Sequence, residues 1–185
     1  TIAGTLTTGG ASVFKGHAVT GDVTDNVIIN TTSNTMNTLH DARAAVTLTA
    51  GNLTMNDATS AARDVTVTAG DLTINNITQR HLLANGGVTT INDITLGNAT
   101  LRNVAVVNQA GVIGGALDVG NAALYVGAAD ADIAGAVTIN TTHAGMNTLH
   151  DARAAVTLTA GNLTMNDAVG DVIVTAGALI MNDAG

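Results

Sequence analysis

The side chains best suited to chemistry stand together twice, as His40, Asp41 and Arg43 and again as His150, Asp151 and Arg153. An imidazole beside a carboxylate is the start of an acid–base pair or of a metal site. The spacing works against both. Adjacent residues on a strand point to opposite faces, and on a helix they diverge, so His and Asp do not converge on one ligand. No third ligand follows at a metal-site spacing. These segments are expected to be solvated corners held by local hydrogen bonds. All 14 acidic residues are Asp. The Asn-Asp pairs at 56–57, 92–93, 166–167 and 182–183 read as turns, because Asx side chains bond the backbone just ahead of them. Calcium between coils is the one cofactor this acidity leaves open, without an EF-hand loop or a Gly-rich nonapeptide to hold it. Phosphate loops, dinucleotide fingerprints and nucleophile elbows are absent. With a single Lys and scattered Asp, no acid–base cluster emerges either. We therefore expect no catalytic residue, no resident cofactor and no enzyme.

The elements that must carry these side chains are short strands. In AVTLTAGNLTMND (45–57), Val46, Leu48 and Ala50 share one face while Thr47 and Thr49 share the other. After Gly51–Asn52, Leu53 and Met55 stand opposite Thr54 and Asn56. Alternation with a period of two, rich in Thr and Val, is strand patterning. The unit recurs as DVTVTAGDLTINN (64–76), a shift of 19, and as DVIVTAGALIMND (171–183), 16 residues after the copy at 155–167. The change in length falls in the linkers 59–63 and 169–170, as loops between fixed strands behave. A larger repeat encloses these units. Residues 31–58 and 141–168 match at 25 of 28 positions, 110 residues apart.

A unit of this size cannot bury its apolar face alone, but stacked units can. The pattern predicts an all-β, right-handed parallel β-helix (β-solenoid) with coils of about 16–20 residues. It would be one domain, 1–185, with internal duplication of 22–58 and 132–168. Val46 should lie over Val65, Leu48 over Val67, Leu53 over Leu72 and Met55 over Ile74. MNTLHDARAA (36–45 and 146–155) departs from the alternation. Thr38 is placed to cap one helical turn carrying Leu39, Ala42 and Arg43, which predicts a longer corner or a short helix.

Composition agrees with a thin core. The chain has no Cys, Pro or Trp, one Phe and one Tyr, yet 46% of it is hydrophobic. A net charge of −8 with 6 basic residues argues against nucleic acid as a partner. No apolar run approaches the roughly 20 residues of a membrane helix. The chain begins at Thr1, which suggests a processed product or a fragment.

The AGNLTMND and AGDLTINN units resemble those of filamentous-haemagglutinin-like and autotransporter-passenger-like surface proteins, whose coils carry a Gly-Asn/Asp-Leu-Thr-aliphatic segment. The resemblance implies an extracellular, cell-surface rod for adhesion or a surface coat, with no catalytic residues. Two surfaces follow from the residues themselves. In the last unit, Ile173 and Ile180 replace Thr66 and Thr73 on the outward face. Exposed apolar residues mark contacts, so they are the candidate assembly interface of a head-to-tail homo-polymer, either a filament subunit or a slice of a large adhesin. The Thr-x-Thr pairs Thr47/Thr49, Thr66/Thr68 and Thr157/Thr159 are a candidate face for ice or another ligand, set against the general suitability of Thr for strands. A ligand-binding solenoid for ice, a host or surface glycan, or calcium is the alternative function.

Overall fold

A computed structural model shows the chain as a parallel β-solenoid of about 8 turns, with no helix among the described residues. It describes residues 1–16, 23–33, 35–58, 64–103, 105–129 and 131–182, with the backbone path alone for 57–58, 76–80 and 93–95. The linker 59–63, the start of the duplication at Asp22 and the turn expected at Asp183 lie outside the described residues.

Every strand pairing is parallel, and each runs to the equivalent strand one coil away. Val46 pairs with Val65 and Leu48 with Val67, while Leu53 pairs with Leu72 and Met55 with Ile74. The reason is burial. Strand Val46–Ala50 turns Val46 and Leu48 fully inward while Thr47 and Thr49 stay half-buried. A slip of one residue would exchange those faces. Each Val or Leu brought fully inside contributes about 1.5–3 kcal/mol, so the register is strongly specified.

One interior file runs Val27, Val46, Val65, Leu82, Ala99, Leu117, Val137 and Val156. Leu6 and Val172 stand half-buried at either end of it. Successive members are 16 to 20 residues apart across the file, and 21 between Leu6 and Val27. A second set of strands closes the opposite side, and a narrower third side carries Ile2, Val23 and Ala42, then Ile113, Ile133, Ala152 and Ala168. The bend between the two broad sides is a file of glycines. Gly51, Gly70 and Gly87 have φ of 87°, 95° and 76°. A Cβ on Gly70 would run into the carbonyl oxygen of Gly51, and one on Gly87 into that of Gly70. Glycine is required there both for its backbone angle and for close approach.

The segment read as a helical turn is a strand. Asn37–His40 and Met146–Leu149 pair in parallel with the next coil, and Thr38 lies opposite Thr54 rather than capping a turn. Two features explain the difference. Asn37 and Asn147, polar residues that broke the expected alternation, are fully buried and satisfied. The Asn147 amide accepts the Tyr125 N–H at 3.0 Å and donates to the Asn162 carbonyl at 2.9 Å. The chain then turns at Asp41 and Asp151, whose φ values of 52° and 51° end the strand without a helix.

Candidate functional site

The two His-Asp-x-Arg segments are built as corners. Arg43 Nη2 lies 3.3 Å from Asp41 Oδ2. Arg153 Nη2 reaches Asp132 at 2.7 Å and Asp151 at 3.2 Å. A hydrogen bond with Asp151 holds the Asp132 carboxyl above its usual range, with partial burial and the Asp151 charge acting the same way and Arg153 against it. Asp151 is held below its usual range, first by that hydrogen bond and then by Arg153. His150 is directed elsewhere, its ring against the Asn166 amide at 2.9 Å. At this second corner His150 and Asp151 therefore serve different neighbours. Among the described residues no group of three or more His, Cys, Asp or Glu is arranged to hold a metal.

The threonines divide differently from their sequence grouping. On the first broad side the outward file runs Ile28, Thr47, Thr66, Leu83, Thr100, Asp118, Thr138, Thr157 and Ile173. Thr47 and Thr66 are neighbours, while Thr157 sits far along the same file beside Thr138. Thr49 and Thr159 fall where the register shifts, and their hydroxyls point back to the carbonyls of Ile29 and Ile139 at 3.3 Å. Thr68 is exposed. The three pairs do not form one flat two-rank array. Bulges re-aim side chains in this way.

An unbroken threonine file lies instead on the second broad side, through Thr38, Thr54, Thr73 and Thr90. It was hidden behind the helical reading of Thr38. Beside it runs a file of His40, Asn56, Asn75 and Asn92. Asn75 Nδ2 donates to Asn56 Oδ1, and Asn92 Nδ2 to Asn75 Oδ1, each at 2.8 Å. The duplicate holds the counterpart His150, Asn166 and Asn182.

The first of these asparagine files stops at Asn92, because its register partner in the next coil is Ala110. There the outward side chains shorten and a trough of about 260 Å³ opens, lined by Thr90, Asn92, Asn108, Ala110, Val126 and Ala128 over the backbone of the residues between them. On the first broad side a second hollow of about 260 Å³ lies among Asp64, Thr66, His81, Asn98 and Thr100. His81 Nδ1 is already taken there by the Asn98 N–H at 2.8 Å.

Ile173 and Ile180 project outward over Thr157 and Thr164, with 55% and 48% of their surface exposed. No helix among the described residues is long and apolar enough to cross a membrane. Comparison with protein families, with curated proteins and with solved structures finds no match to this chain.

Proposed function

We propose that the protein is an extracellular structural or adhesive rod that extends by adding coils to coils, either as a head-to-tail filament subunit or as a segment of a large surface adhesin. The observation that carries this reading is that the coils are interchangeable parts. Coil 2–15 repeats the construction of the interior coil 113–126. Leu6 and Leu117 hold the same place in the core file. Thr31 reaches the carbonyls of Gly10 and Ser12 at 2.9 and 2.7 Å, and Thr141 reaches those of Asn121 and Ala123 at the same distances. A coil built for the interior is one that another coil can pair with, from a second copy or from more of the same polypeptide. Unpaired parallel strands favour such addition, and a heterologous contact that does not close propagates.

The Gly-Asn/Asp-Leu-Thr-aliphatic corners support a place among filamentous-haemagglutinin-like or autotransporter-passenger-like surface rods. At the second corner His150 turns to Asn166 while Asp151 pairs with Arg153, which supports a role without catalysis and without a resident cofactor. The runner-up reading, a ligand-binding solenoid, is favoured by the trough beside Asn92.

Negative-stain imaging across a concentration series tests the assembly. Filaments should lengthen with concentration, and Ile173→Lys with Ile180→Lys should shorten them without unfolding, since both side chains are exposed. Short monodisperse rods at every concentration would overturn self-assembly.

A further inference from the structure

We propose that the trough at the carbonyl end of the asparagine file binds a neutral sugar residue. The file has a direction: each amide nitrogen donates toward the N-terminal coil. Its last carbonyl, Asn92 Oδ1, therefore faces the rung of Ala110 and accepts no hydrogen bond among the described residues. Asn92 Nδ2 is held at 2.8 Å by Asn75, so this acceptor is fixed in direction before any ligand arrives. Preorganised polar groups bind at lower entropic cost.

The rest of the lining sets the ligand class. Thr90 contributes a hydroxyl and Asn108 an exposed carboxamide, both without a side-chain partner among the described residues. Ala110, Val126 and Ala128 add an aliphatic strip. No lining residue is charged, so neither a phosphate nor a cation finds a counter-charge. A ligand that offers hydroxyl donors on one edge and C–H groups on a face fits this combination, which describes a sugar ring. The volume of about 260 Å³ admits one ring, with neighbouring rings left over the surface. The site lies on the flank of the rod and stands whether or not rods assemble.

The test is a titration of the ¹⁵N-labelled chain with chitobiose, cellobiose and lactose, following the side-chain amide signals of Asn92 and Asn108 by NMR. At least one sugar should shift both signals saturably. Ala110→Asn should continue the file, donate to Asn92 Oδ1 and fill the trough; its sugar-induced shifts should vanish while its backbone spectrum stays folded. Ile173→Lys, on the other broad side, should bind as the parent does even if it no longer assembles. No shift with any of the three sugars, or equal shifts in Ala110→Asn, would overturn the proposal.

Discussion

Phe14 and Tyr125 occupy the same rung of two coils, each giving its backbone N–H to a buried asparagine, Phe14 to Asn37 at 2.9 Å and Tyr125 to Asn147 at 3.0 Å. The two aromatic side chains differ by one hydroxyl. That of Tyr125 is fully buried with no partner among the described residues, and burial pushes its phenol pKa up. An unsatisfied buried polar group costs about 1–3 kcal/mol. Tyr125→Phe should therefore raise stability by about 1–2 kcal/mol, within that range. Urea melts check this; a loss of stability would mean that the hydroxyl is bonded.

The buried asparagines should behave in the opposite way. Asn147→Leu keeps the size but leaves the Tyr125 N–H without its partner and takes one of its hydrogen bonds from the Asn162 carbonyl. The orphaned donor and the lost bond together should cost about 2–4 kcal/mol. Asn75→Ala, on the outer file, should cost less than about 1 kcal/mol because water replaces its bonds. Equal losses from the two variants in denaturant melts would show that inward and outward asparagines are not distinguished.

Gly70→Ala should be among the most damaging single changes. It places a Cβ at a φ of 95° and against the Gly51 carbonyl. The angle alone costs about 1–2 kcal/mol, and the stack must also spread to relieve the contact. Gly4→Ala is the control, since nothing lies within 4 Å of the added atom. A melting temperature for Gly70→Ala as high as that of Gly4→Ala would contradict the stacked corner.

Acid should separate the corner carboxylates. Asp132, held above its usual range, protonates first; Asp151, held below it, protonates last. The raised group binds its proton more tightly folded than unfolded, so its contribution to stability falls as pH rises through its range. The lowered group contributes stability that is lost as pH falls through its own. Asp151→Asn removes the charge and the carboxylate hydrogen bond that raise Asp132 and leaves Arg153 beside it. Carbon-detected NMR titration should show the Asp132 midpoint drop in that variant. An unchanged midpoint would show the two groups to be independent.

The interior files were legible where period-two alternation is clean, as in Val46, Leu48, Leu53 and Met55 with their partners 19 residues on. They were illegible at Asn37–His40, where a buried polar residue opens the strand and its satisfaction depends on coils 15 and 23 residues away. The kinship of Phe14 with Tyr125 was hidden because their flanks, GGASVFK and GNAALYV, share little. Only the common hydrogen bonds reveal it. The Thr-x-Thr pairs looked like one surface because sequence shows alternation but not the register shift beside Thr49. The trough could not be read at all, since it depends on Ala110 landing under Asn92 across a bulged pairing.

Side-by-side parallel coils are the claim on which the rest depends. A NOESY spectrum of the methyl-labelled chain tests it most directly. Strong contacts should link Val46 to Val65 and Leu53 to Leu72, with the Val27 methyls touching those of Val46 and not those of Val65. Close Hα–Hα contacts between neighbouring strands, the mark of antiparallel hairpins, or no contact between Val46 and Val65, would contradict it.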